Sequence, residues 1–157
     1  MDIQIKNLSV SFPSPKGDAK VLRNADIILK SGKITAIVGE SGSGKSILGA
    51  AVMGLLESSV RVSGEILFGN TDLLSLSEKE LNSIRGERIG WIAQDPVTAM
   101  DPMMKVGKQM MEGVHFYQNG KETKADGLRQ MEEFGLVDAP RVWNAYPFHL
   151  SGGMAQR

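Results

Sequence analysis

Cysteine is absent from the 157-residue sequence, and aromatic residues make up only 6% of it. Without cysteine the chain has neither disulfides nor thiolate metal ligands, which is compatible with a reducing compartment. Acidic and basic residues balance at 18 each, so no excess charge would recruit nucleic acid or anionic lipid. No apolar run approaches the ~20 residues that cross a bilayer, and the N-terminal MDIQIKNLSV alternates where a signal peptide has an apolar block. We therefore expect a soluble cytoplasmic domain.

Glycine, by contrast, is plentiful at 18 residues, and turn sequences separate stretches with a β-strand pattern. Alternation and β-branched content predict strands at residues 3–12 and 21–30, and a strand–turn–strand unit at residues 63–73. The stretch KITAIVG (33–39) is a short apolar run without polar alternation, which is typical of a strand buried on both faces of a sheet. The stretch ERIGWIAQ (87–94) is predicted to form another strand.

Helical periodicity predicts the remaining regular structure. The predicted helices cover residues 45–57, 75–85, 106–117 and 124–137. In the first helix, Leu48, Val52 and Leu55 fall on one face, which predicts their burial. In the second, Ser77 and Glu80 have the spacing of a capping box and indicate where the helix begins.

The stretch GESGSGKS lies between the apolar strand and the first helix and fits the pattern G-x-x-x-x-G-K-[ST]. Gly39, Gly42 and Gly44 would let the backbone curl so that its N–H groups point at phosphate oxygens. Lys45 would supply positive charge to the β and γ phosphates, and the Ser46 hydroxyl can ligate Mg²⁺. A glycine-rich turn that matches by chance is the weaker alternative, since the flanking strand and helix are also predicted. The stretch therefore predicts a nucleoside triphosphate site.

A GTPase is one alternative for such a loop. The stretch TKAD at residues 123–126 resembles a guanine-specificity motif. It falls at the start of a helical pattern, however, and the sequence has no accompanying D-x-x-G. We interpret the match as coincidence.

Two further motifs indicate which class of phosphate-loop protein this is. The sequence ends in LSGGMAQR, and AQDPVTAMDP lies between that stretch and the phosphate loop. In this order the three motifs resemble those of ABC transporter nucleotide-binding subunits, especially the QDPxxxLNP and YPxxxSGGMxQR of importers for oligopeptides, dipeptides and nickel. The resemblance implies an α/β fold: an incomplete P-loop NTPase (RecA-like) ABC cassette with an N-terminal antiparallel β part and a helical subdomain. Residues 1–93 would hold the β subdomain and partial ATP-binding core, and residues 94–157 the glutamine loop, helical subdomain and signature motif.

The resemblance also implies a role for each motif residue. ATP and Mg²⁺ would be cradled by Gly39, Ser41, Gly42, Ser43, Gly44, Lys45 and Ser46. Gln94 would contact Mg²⁺ or the attacking water and relay the state of the site to a permease. Phe12 would stack on adenine, although an ordinary core position at the end of a strand is the alternative. Ser151, Gly152 and Gly153 would close on the γ-phosphate held by a partner subunit, where a Cβ would block the backbone from approaching the anion.

The implied parent protein is an ATPase that powers import of peptides, or of nickel or metal chelates, at the cytoplasmic face of the membrane. Its implied partners are a second ATP-binding subunit in a head-to-tail dimer, transmembrane permease subunits and, indirectly, an extracellular or periplasmic substrate-binding protein. No nucleic acid partner is implied.

Such subunits continue beyond the signature with an apolar strand ending in Asp-Glu-Pro, and the sequence contains no such stretch. We therefore expect an N-terminal fragment that does not hydrolyse ATP alone, with apolar surface left uncovered beside the phosphate loop. The alternatives are a non-catalytic nucleotide-binding or interaction fragment, and an ABC ATPase that is not tied to transport.

Methionines and histidines of the helical part have competing interpretations. Five methionines would either form an adaptable surface for a permease helix or fill the core: Met100, Met103, Met104, Met110 and Met111. His115 and His149 are predicted to be structural or surface residues, because the switch histidine of the resembled family follows the signature. Pro96 and Pro102 would interrupt a helix, so residues 95–104 are predicted to form a surface loop.

Overall fold

The computed structural model describes residues 1–117 and 123–157, and within 114–117 it describes the backbone. The expectation for the His115 side chain therefore lies outside the described residues. The chain divides into two compact units, residues 1–85 and residues 86–157. No helix within the described ranges is long and apolar enough to cross a membrane.

The first unit contains an antiparallel sheet of four strands in the order β2-β1-β3-β4. The strands are β1 (Ile3–Phe12), β2 (Ala19–Leu29), β3 (Arg61–Phe68) and β4 (Thr71–Asp72). The predicted strands at residues 3–12 and 21–30 and the predicted strand–turn–strand unit at residues 63–73 are thereby confirmed. In β1, Ile5, Leu8 and Val10 are all buried although the first two are three residues apart. A bulge makes this possible, because Asn7 has φ 49° and the register shifts between Ile5 and Leu8.

Two helices complete the first unit, α1 (Lys45–Val52) and α2 (Glu78–Ile84). Helix α1 is shorter than predicted, because the chain leaves the helical conformation at Gly54, with φ 62°. Leu48 and Val52 are buried as expected, but Leu55 lies beyond the helix and is exposed. Helix α2 begins at the predicted capping box.

The prediction of strands at residues 33–39 and 87–94 was wrong: neither segment forms a strand. Ile34 is fully exposed, Val38 is 88% exposed, and Ile92 is 83% exposed. An apolar run indicates a tendency to be buried, whereas a strand also needs neighbours for its N–H and C=O groups. The strands of the sheet pair with each other and with neither of these segments. The apolar surface expected beside the phosphate loop is present.

The second unit is helical. Its helices are α3 (Pro96–Ala99), α4 (Val106–Tyr117), α5 (Lys124–Glu133), α6 (Ala139–Asn144) and α7 (Gly152–Gln156). Its core consists of Met131, Leu136, Ala139, Val142 and Trp143, against which Met110, Met111 and Met154 pack. Core filling is thus confirmed for Met110, whereas Met103 is 83% exposed.

Close approach to Trp143 fixes the packing of α4 and α5. A Cβ at Gly107 on α4 would lie 2.2 Å from the indole, and one at Gly127 on α5 would lie 2.6 Å from it. Both helices therefore need glycine where they contact the ring. The Lys124 ammonium lies 5.9 Å from the ring centroid, in the range of a cation–π contact.

The TKAD stretch at residues 123–126 and His149 both have local structural roles. Thr123 and Asp126, the ends of the TKAD match, form a capping box at the start of α5. The Thr123 backbone N–H donates to Asp126 Oδ2 at 2.9 Å. His149 Nδ1 accepts a hydrogen bond from the Tyr146 N–H at 3.4 Å. A structural role therefore explains both the TKAD stretch and His149.

Candidate functional site

The phosphate-loop sequence forms a curled turn that leads directly into α1. Gly42 has φ 80° and Gly44 has φ 93°, a backbone conformation that favours glycine. Gly44 is also crowded, since a Cβ there would lie 2.7 Å from Leu22 Cδ2 on β2. Both the curl of the loop and its closeness to the sheet therefore depend on glycine.

The Lys45 side chain folds back over the loop that precedes it. Its Nζ donates to the carbonyl oxygens of Gly39 at 2.9 Å and Glu40 at 2.6 Å, and to Ser43 Oγ at 3.3 Å. Three acceptors thus hold the ammonium within the curve of the loop. The loop residues 39–43 are themselves exposed, so an anion can reach this charge from solvent.

The start of α1 adds further positive potential. Its N-cap is Gly44, which has no side chain to accept hydrogen bonds from the first turn. Helix geometry leaves those first N–H groups without intrahelical acceptors, and the helix dipole places partial positive charge there. Ser46, in the same turn, is exposed and carries a hydroxyl. Curled backbone, ammonium, uncapped helix start and hydroxyl together form a set of groups suited to a phosphate and its cation.

Phe12 ends β1, where it pairs with Ala19 of β2. Its side chain is half-buried. Intermediate burial is compatible with stacking on adenine and with a core position at the end of a strand, so both roles of Phe12 stay predictions.

Gln94 is exposed and lies two residues before α3, next to Asp95. Asp95 caps that helix, since its Oδ1 accepts from the N–H groups of Val97 at 3.1 Å and Thr98 at 3.3 Å. Pro96 therefore begins a short helix, which corrects the expectation that it interrupts helical structure. The Asp-Pro pair could have indicated this from the sequence, because Asp is favoured at the N-cap and Pro at the first helical position.

The signature stretch forms the start of α7. The Ser151 hydroxyl caps the helix by accepting from the Met154 N–H at 3.3 Å. A Cβ at Gly152 or Gly153 would meet no atom within 4 Å, and neither residue has a positive φ. Arg157 then anchors the turn by donating to the Gly135 carbonyl at 2.6 Å. Helices α3 and α7 contact each other, so the segment after Gln94 lies beside the signature.

The predicted site residues thus fall into two sets. Phe12 and the phosphate loop belong to the first unit, and Gln94 and the signature belong to the second. In the described ranges, no three acidic or histidine side chains are grouped so as to hold a metal ion.

The family model of the ABC transporter matches residues 22–157, and the chain therefore belongs to the ABC transporter family. The fold agrees: the chain superposes on the dimeric ATP-binding cassette MJ0796, determined in a post-hydrolysis state bound to ADP and Pi, with a TM-score of 0.83. That match is 23% identical and covers 98% of this chain and 68% of the cassette.

Curated relatives come from peptide transport systems. The chain is 42% identical to the dipeptide transport ATP-binding protein DppD of Lactococcus lactis, over 99% of this chain and 46% of DppD. It is 38% identical to the oligopeptide transport ATP-binding protein OppD of Escherichia coli, over 99% of this chain and 47% of OppD. The chain therefore spans about half the length of these relatives.

Proposed function

We propose that the loop at residues 39–46 binds the triphosphate of Mg²⁺-ATP. The observation that carries the proposal is the position of Lys45 Nζ, which the Gly39 and Glu40 carbonyls hold inside the curve of the loop. A bound phosphate would be attracted to this ammonium and to the uncapped first turn of α1. Ser46 is the residue we assign to Mg²⁺, which would neutralise phosphate charge when bound.

We further propose that the parent protein is the ATPase subunit of an importer for oligopeptides or dipeptides, acting at the cytoplasmic face of the membrane. The names of the relatives favour peptides over nickel or metal chelates. Residues 1–93 would carry the nucleotide, with Phe12 on adenine, and residues 94–157 would carry the contacts with other subunits.

In this proposal Gln94 senses the nucleotide, and residues 95–104 contact a transmembrane permease. Exposure of Val97 and of Met103 supports a contact surface there. Ser151, Gly152 and Gly153 would face the γ-phosphate bound by a second ATP-binding subunit. The open space around both glycines supports this assignment, because nothing within the described chain requires glycine at these positions.

Replacement of Lys45 tests the nucleotide site. Lys45→Ala should weaken binding of a fluorescent ATP analogue by roughly 10- to 100-fold, since it removes charge-assisted hydrogen bonds to phosphate. Lys79→Ala removes an exposed lysine from α2 of the same unit and serves as the control, with unchanged affinity. Circular dichroism should show the same secondary structure in both variants. Equal affinity of Lys45→Ala and the unmodified chain would rule out the loop as the binding site.

A further inference from the structure

The Gln109 side chain on α4 makes three hydrogen bonds to the backbone of the segment that precedes the helix. Its Oε1 accepts from the Asp101 N–H at 2.9 Å. Its Nε2 donates to the Asp101 carbonyl at 2.9 Å and to the Met104 carbonyl at 2.8 Å. Both ends of the amide are therefore used, and both ends of residues 101–104 are held.

This loop is exposed at its centre and fixed at its base. Met103 is 83% exposed, and its N–H donates to Asp101 Oδ1 at 2.8 Å. The helix that carries Gln109 is held to the core of the unit, because the Val106 N–H donates to the Ala145 carbonyl at 2.9 Å and Gly107 packs on Trp143. Gln109 thus connects an exposed loop to a rigid base.

From this geometry we infer that Gln109 is a positioning residue that sets the conformation in which residues 101–104 present Met103 to the permease. The inference rests on the proposed function, in which residues 95–104 form the permease contact. We call the three hydrogen bonds of Gln109 to residues 101–104 the Gln109 clamp. Without the clamp the loop would have to be ordered when the partner binds, which weakens binding. The sequence offers no signal for this role, since a single polar residue on a helix is usually solvated.

Two nearly isosteric variants separate the clamp from simple packing. Gln109→Met keeps the length and the helix propensity of the side chain but removes all three hydrogen bonds. Gln109→Glu keeps an acceptor for the Asp101 N–H but directs a carboxylate at two carbonyl oxygens. Glu112→Leu changes an exposed residue one turn further along α4 and is the control.

The first readout is hydrogen exchange of the full chain, and the second is crosslinking. The amides of Asp101, Met103 and Met104 should exchange about fivefold faster or more in both Gln109 variants, since a neutral hydrogen bond is worth roughly that factor. Exchange elsewhere in α4 and binding of the ATP analogue should not change. In a Met103→Cys background, both variants should lower the yield of crosslinks to the cognate permease at least severalfold, and Glu112→Leu should not.

Each negative outcome has a distinct meaning. If Met103→Cys alone forms no crosslink to the permease, the proposed contact surface is wrong. If it crosslinks and Gln109→Met crosslinks equally well, the inference about Gln109 is overturned. Unchanged exchange at residues 101–104 would overturn it as well, because the clamp would then not order the loop.

Discussion

Glycine serves two different purposes among the residues of this chain. At Gly44 and Gly107 the fold itself requires it, since an added Cβ would lie 2.7 Å from Leu22 and 2.2 Å from Trp143, respectively. Gly152 and Gly153 open a helix in free space, where alanine would fit and would be the better helix former. Glycine at these two positions therefore needs an explanation outside the described chain, and close approach of an anion is the one we propose.

This contrast predicts that Gly153→Ala separates stability from association. The variant should melt at the same or a higher temperature, because alanine is favoured over glycine in a helix by up to ~1 kcal/mol. It should nevertheless weaken ATP-dependent association with a partner ABC subunit, because the added methyl group would occupy the space that we assign to the γ-phosphate. Analytical ultracentrifugation measures this association.

The matched control is Gly113→Ala, on α4, where a Cβ would also meet nothing within 4 Å. It should stabilise the chain in the same way without affecting association. A loss of stability in Gly153→Ala, or association equal to that of the unmodified chain, would contradict the proposed role of the signature.

At the scale of helices and strands, signals that act over a few residues predicted the structure well. The capping box of Ser77 and Glu80 places the start of α2, and the strand–turn–strand pattern of residues 63–73 places β3 and β4. Residues 33–39 and 87–94 were not predictable in the same way. Their apolar pattern is local, but a central strand is stabilised by partners distant in sequence, which periodicity does not reveal. The role of Gln109 was missed for a similar reason. Its three hydrogen-bonding partners are backbone groups of Asp101 and Met104, and the fold of the loop brings them to the side chain.

The capping box of α2 leads to a prediction about pH. The Ser77 hydroxyl and then the Ser77 backbone N–H hydrogen-bond to Glu80 and hold the pKa of its carboxyl below its usual range. Because the folded-state pKa is lowered, the stabilisation is present above the ordinary glutamate pKa of about 4.3 and is lost as the pH falls through the lower folded-state value. Ser77→Ala should therefore raise the pKa of Glu80 towards its ordinary value.

An NMR titration of the Glu80 carboxyl measures this effect. Ser83→Ala is the control, because Ser83 Oγ donates to the backbone carbonyl of Glu80 and not to its carboxylate. Its Glu80 pKa should match that of the unmodified chain. A Glu80 pKa that stays as low in Ser77→Ala as in the unmodified chain would show that the Ser77 hydroxyl is not its cause.

On the scale of the whole molecule, a well-formed phosphate loop adjoins an uncovered apolar segment. Antiparallel strands and α1 build the loop from within the first unit, yet Ile34 and Val38, just before it, face solvent. Phosphate binding needs the backbone curl, Lys45 and the start of α1, all of which are present. Hydrolysis additionally needs a carboxylate that orients or deprotonates water, and no apolar strand followed by Asp-Glu occurs in the 157 residues.

The 157-residue chain should therefore bind Mg²⁺-ATP, but weakly, and release no phosphate above the buffer rate. A missing general base alone lowers a rate by roughly 10²- to 10⁴-fold. Phosphate release measured beside binding of the ATP analogue tests this, with Lys45→Ala as the control for a contaminating ATPase. Extension by a strand that ends in Asp-Glu-Pro should restore turnover when a partner subunit and permease are supplied. Turnover by the unextended chain that disappears in Lys45→Ala would contradict the prediction, because one of the 18 acidic residues would then have to act on the water.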